Sequence, residues 1–113
     1  MKYFKKVIRR IVRSEGESLD NEDLYLNVES GSGSIMDLTV EKHSDELIVS
    51  QTYTQRGDLM RDPEIRFRIQ DDGEWLPVEY RQDPNIREYC TDGIDIEDFL
   101  ETWAGNLKCQ FLR

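Results

Sequence analysis

Asp58, Asp62 and Glu64, followed by Arg66, are the residues whose types and spacing come nearest to chemistry in this 113-residue chain. Carboxylates at such intervals could hold a divalent metal, and a nearby base could position a scissile phosphate. Glu64-Ile65-Arg66 imitates a nuclease strand that places an acid, one residue and then a lysine. Arginine, however, keeps its charge and cannot serve as the base. In a chain with 24 acids a near-match of this kind arises from composition alone. The simpler reading makes residues 54–64 an acidic loop in which Gly57, Asp58, Asp62 and Pro63 shape the backbone. The sequence favours that reading.

Other routes to catalysis are thinner. His43 is the sole histidine and sits in a turn signal with no second histidine or cysteine to build a metal site or a nucleophile relay. Cys90 and Cys109 are too few and too far apart for a thiolate metal site or a redox pair, and read as free thiols. No phosphate-cradling glycine loop opens a helix, so no nucleotide cofactor is expected, and no metal either. Arg56-Gly57-Asp58 spells an adhesion tripeptide, which in a chain expected to be cytoplasmic reads as a coincidence of composition.

Charge is distributed unevenly. The formal net charge is −9, yet residues 1–13 hold six bases (Lys2, Lys5, Lys6, Arg9, Arg10 and Arg13) and no acid. The remaining hundred residues therefore carry nine bases against 24 acids. An acidic body repels nucleic acid and anionic lipid, whereas the basic segment attracts polyanions or the acidic surface of its own chain. Apolar runs are far shorter than the roughly 18–20 residues that span a bilayer, so a cytoplasmic protein without a transmembrane segment is expected.

The elements that must position these residues follow from periodicity. Phe4, Val7, Ile8, Ile11 and Val12 recur at helical spacing, which predicts a basic amphipathic helix over 1–13. Its apolar stripe asks for a sheet to pack on, more than an electrostatic tether would need. Alternations at Leu24–Val28, Met36–Val40, Leu47–Tyr53, Ile65–Ile69 and Leu76–Tyr80 predict five strands between residues 24 and 81. SGSGS, at residues 30–34, reads as a flexible linker, and QDDGE as a hairpin turn. Pro77 lacks an amide donor, which places the last of these strands at an edge. Ile96, Phe99, Leu100, Trp103, Ala104, Leu107 and Phe111 lie on one face of a helix over 95–111. Connections are too short for parallel crossovers. The expected fold is α+β: one domain over 1–113, a five-stranded antiparallel meander with both terminal helices on one face.

If the helices cover one sheet face, the other shows Thr52, Thr54, Arg66, Arg68, Trp75, Glu79 and Arg81. This is a polar surface with arginines and an aromatic, suited to cross-strand ion pairing or to docking a partner. Candidate interaction residues are thus Asp58, Asp62, Glu64, Arg66, Arg68, Trp75 and Arg81.

SQTYTQRGDLMRDPEIRF, then EWLPVEYRQD, then FLETWAGNLKCQFL resemble, in order and spacing, a family of small domains encoded on bacterial plasmids, phages and integrative conjugative elements. Its recurring parts match Tyr53–Glu64, Trp75–Asp83 and Trp103–Gln110, so the likeness spans about residues 36–111 and leaves the basic helix outside. The resemblance implies an accessory protein of mobile DNA and supplies no catalytic residue. The leading expectation is a non-enzymatic module that binds another protein. An acidic DNA mimic that occupies a DNA-binding protein is the alternative, and a metal-dependent hydrolase using the Asp58 to Arg66 cluster stands third.

Overall fold

The computed structural model describes residues 2–30 and 36–112. The order is α1 (Lys2–Ser14), β1 (Asp23–Val28), β2 (Asp37–His43), β3 (Glu46–Gln55), β4 (Asp58–Ile69), β5 (Trp75–Gln82), β6 (Ile86–Tyr89) and α2 (Glu97–Phe111). The strands form one antiparallel sheet whose spatial order equals their order in the chain. Both helices pack on the same face. The SGSGS stretch, apart from Ser30, lies outside the described residues.

Burial follows the sequence periodicities. Leu38, Val40, Leu47, Val49, Ile65 and Phe67 point from β2, β3 and β4 towards the helices and are fully buried. Phe4, Val7, Ile8, Ile11 and Val12 meet them from α1, while Leu100, Trp103, Ala104 and Leu107 do so from α2. Five such side chains on a thirteen-residue helix anchor an element that would be marginal in water alone. Phe4 is central: its ring lies 5.5 Å from Phe67, 5.5 Å from Trp103 and 6.3 Å from Trp75.

One buried polar group fastens α2 to the sheet. Gln51, on β3, accepts a hydrogen bond from Trp103 Nε1 at 2.9 Å and donates to Gln110 Oε1 at 2.9 Å. A buried amide left without partners costs about 1–3 kcal/mol, so this arrangement fixes the rotation of α2 as well as its position. Two of the three recurring sequence motifs are thereby occupied with structure. Trp103 and Gln110 bind the helix to Gln51, and Trp75 fills the aromatic core.

Four expectations need correction. The sheet has six strands, because Ile86–Tyr89 pairs with β5 after the three residues 83–85. The acidic loop is mostly strand: β3 and β4 join through Arg56 and Gly57 alone, with φ of 52° and 85°, the two-residue geometry that favours glycine. Beyond the helices' footprint the ribbon has no core to face, so Asp58–Glu64 carries none of the alternation that marks a half-buried strand. β5 is not an edge. Pro77 is accommodated at a bulge, where β4 steps from Arg66 to Phe67 while β5 steps from Glu79 to Pro77.

That bulge also reverses the predicted facing of β5 over Trp75–Val78, while Glu79, Tyr80 and Arg81 face as expected. Trp75 pairs with Ile69 and Tyr80 with Ile65, which puts both on the helix side, whereas Val78 borders the opposite face. Trp75 is 6% exposed and cannot be a docking residue.

Candidate functional site

Among the described residues no helix covers the second face of the sheet, and there the charged candidates gather. Register places Glu46, Arg61, Glu64, Arg66, Arg68, Glu79, Arg81 and Arg87 on that face across β3 to β6. All of these but Arg68 join in two cross-strand networks. In the first, Arg66 Nη1 donates to Glu46 Oε1 at 2.9 Å, Arg66 Nε lies 3.2 Å from Glu79 Oε1, and Arg87 Nε donates to Glu79 Oε2. The Arg66 Nε contact has ion-pair distance without hydrogen-bond alignment. Glu79 is 6% exposed, and its two carboxylate oxygens each meet an arginine.

The second network closes the far end of β4. Arg61 Nε lies 3.3 Å from Glu64, Arg61 Nη1 3.4 Å from Asp83 and Arg81 Nε 3.4 Å from Asp83. The Arg61 backbone amide donates to Asp83 Oδ2 at 2.9 Å, and the Asp83 amide donates back to the Arg61 carbonyl at 2.8 Å. That backbone donor, with the Arg81 and Arg61 guanidinium groups, holds the Asp83 carboxyl below its ordinary value of 3.8 against the opposing effect of burial. A carboxyl depressed in the folded state stabilises fully above its unfolded value and loses that contribution as pH falls through the folded one. Wild type and Asp83→Asn should therefore differ in stability by a constant amount from neutral pH down to about 3.8, with the gap closing below it. Denaturant titrations across that range check this. A gap independent of pH would assign the role of Asp83 to packing.

The remaining candidates divide. Asp58 is exposed beside the Arg56–Gly57 turn, and Asp62 sits in a second bulge, where β4 uses three steps against two on β3. Asp62 lies close enough to Tyr80 to add to burial in raising the phenol above its ordinary range. Asp58, Asp62 and Glu64 do not converge, and among the described residues no group of three His, Cys, Asp or Glu side chains could hold a metal ion. Arg68 is exposed and makes no ion pair among the described residues. It borders a cleft of about 190 Å³ whose other walls include Asp45, Glu46, Arg66, Val78 and Tyr89. Small-molecule pockets usually run to about 300–1,000 Å³, so this one fits a side chain better than a cofactor.

His43 ends β2 within 3.0 Å of Glu41 and 3.5 Å of Asp23, which raises its pKa above 6.5, chiefly through the Glu41 hydrogen bond. It forms a surface ion pair with those two carboxylates.

Sequence reasoning missed Arg61, Asp83, Arg87, Tyr89 and Gln51. Glu46 and Asp83 were unremarkable among many acids, and only register pairs them with arginines. Tyr89 and Arg87 lay on a strand the sequence did not show.

A family model described as a domain of unknown function (DUF6908) matches residues 6–112. The match takes in most of α1, beyond the span of the three motifs. No curated protein and no solved structure matches the chain.

Proposed function

The chain belongs to this family of unknown function, and from that premise and the geometry above we propose that it is a non-enzymatic module that docks a partner protein on the uncovered face of its sheet. The composition of that face carries the reading. It presents Arg61, Arg66, Arg68, Arg81 and Arg87 together with the exposed Tyr25 and Tyr89. The five lysines lie elsewhere: Lys2, Lys5 and Lys6 on α1, Lys42 on the helix side of β2, and Lys108 on α2. Interfaces favour tyrosine and arginine over lysine because both give large, stiff contact surfaces with directional hydrogen bonding. The cross-strand networks hold Arg61, Arg66, Arg81 and Arg87 in fixed positions before a partner arrives, which lowers the entropy cost of docking.

The resemblance of the three motifs to domains of plasmids and phages supports placing this module among cytoplasmic accessory proteins of mobile DNA. An acidic DNA mimic fits less well. Mimicry needs rows of unopposed carboxylates, and Glu46, Glu64, Glu79 and Asp83 are each set against an arginine.

The test is affinity capture from the native host with the wild type and with Arg68→Glu/Tyr89→Ala, two exposed substitutions that leave the core intact. Capture should fall at least tenfold in the double variant while its melting temperature stays near that of the wild type. Equal capture by both proteins would contradict the reading.

A further inference from the structure

On α1, the cations are arranged in a way that folding does not require. Lys5 is used internally: its Nζ donates to the Gly73 carbonyl at 3.0 Å and lies 5.6 Å from the centre of the Trp75 ring. Arg9 pairs with Asp20 at 3.7 Å. Lys2, Lys6, Arg10 and Arg13 are exposed and make no ion pair among the described residues. Their spacing of four, four and three residues puts them in one row along the helix, opposite the buried Phe4, Val7 and Ile11. From the acidic connector that follows α1, Asp20 pairs with Arg9 and Glu17 borders the same cleft as Arg9 and Arg13, while among the described residues no ion pair reaches Lys2, Lys6 or Arg10.

The N-terminal end of the row also runs against the helix dipole, whereas Arg13, in the last turn, agrees with it. The first turn of α1 holds no acid but carries Lys2 and Lys5, with Lys6 just beyond, whereas α2 has Glu97 and Asp98 in its first turn and Lys108 in its last. Cations at a helix N-terminus are unfavourable. Stability of the helix therefore does not account for them, and a ligand would.

We infer that the outer ridge of α1 binds the phosphate backbone of duplex nucleic acid. The eleven steps from Lys2 to Arg13, at about 1.5 Å each, make the row roughly 16 Å long, a rise along the duplex axis over which one strand sets roughly five phosphates. The helix is held rigidly because its apolar face is consumed by the core, so the cations are fixed relative to one another. That same burial argues against a bilayer: interfacial helices bind by inserting their apolar face, and Phe4, Val7, Ile8 and Ile11 are at most 1% exposed. A narrow, convex ridge can follow a groove or a single backbone, while a broad anionic plane would also meet the acidic body. This surface lies on the opposite side of the sheet from the proposed protein-docking face. The two assignments stand or fall separately.

The experiment measures binding of the full chain to a fluorescently labelled duplex of about 20 base pairs across a series of salt concentrations. Four phosphate contacts predict a slope of log K against log salt of about −3 to −4, and Lys6→Gln/Arg10→Gln should reduce that slope by about two and the low-salt affinity at least tenfold. Lys6→Glu should weaken binding as well while the melting temperature holds, because the side chain is exposed and makes no ion pair among the described residues. Arg68→Gln, on the far face, should change nothing. Absence of duplex binding at low salt, insensitivity to the ridge variants, loss with Arg68→Gln, or equally strong capture by phosphatidylserine vesicles or polyglutamate would each overturn the inference.

Discussion

Trp103→Ala is expected to destabilise the fold by about 3–5 kcal/mol, a large share of the roughly 5–15 kcal/mol that holds a domain of this size. Two losses combine. The indole is 4% exposed, stacks at 5.5 Å on Phe4 and lies 5.9 Å from Phe99, so its removal opens a cavity between α1, α2 and the sheet. Its Nε1 is also the donor to Gln51 Oε1, so removal leaves a buried acceptor without that bond. Trp103→Phe separates the terms: it keeps most of the packing and deletes the donor, so it should cost about 1–3 kcal/mol. Denaturant unfolding of both variants checks the order. A Trp103→Ala protein as stable as the wild type would mean that α2 does not hold this face.

Removing residues 1–13 is expected to abolish cooperative folding. Phe4, Val7, Ile8, Ile11 and Val12 are each at most 1% exposed, and burying such side chains contributes about 1.5–3 kcal/mol apiece. Together that rivals the whole stability of the domain. Deletion also bares the Phe67 and Trp75 rings, which Phe4 covers. The truncated protein should therefore lose its sharp thermal transition and bind hydrophobic dyes. A truncated chain that melts cooperatively near the wild-type temperature would show α1 to be an appendage. The contrast with Lys6→Gln/Arg10→Gln matters, because those substitutions touch the same helix without touching its apolar stripe. One face of α1 serves the fold, and the other is free for a ligand.

Much of this architecture is written in the chain. Both helices, the meander order and nearly every core position follow from periodicity, because burial on one side forces a period of 3.6 or 2 onto the residues. The failures share a cause. Asp58–Glu64 and Ile86–Tyr89 form strands with little or no core beside them, so backbone pairing alone makes them, and pairing leaves no hydrophobic signature. Trp75 was misplaced for a different reason: a single extra residue in β5 shifts the facing of everything before it, and alternation counted through Pro77 cannot detect it. The candidate site was legible in part. Arg66, Arg68 and Arg81 were found because they alternate with Ile65, Phe67 and Tyr80. Their partners Glu46 and Asp83 come from strand register, a property of two segments that neither segment reveals alone.

The docking face is tested most directly by oxidative footprinting of tyrosine side chains in the free chain and in complex with the captured protein. Tyr25 and Tyr89 stand on the uncovered sheet face at 68% and 59% exposure, while Tyr3 stands on α1 at 36%. Protection of Tyr89, with or without Tyr25, and an unchanged Tyr3 is the predicted result. Protection of Tyr3 with Tyr25 and Tyr89 still fully reactive would place the partner on the helices and contradict it.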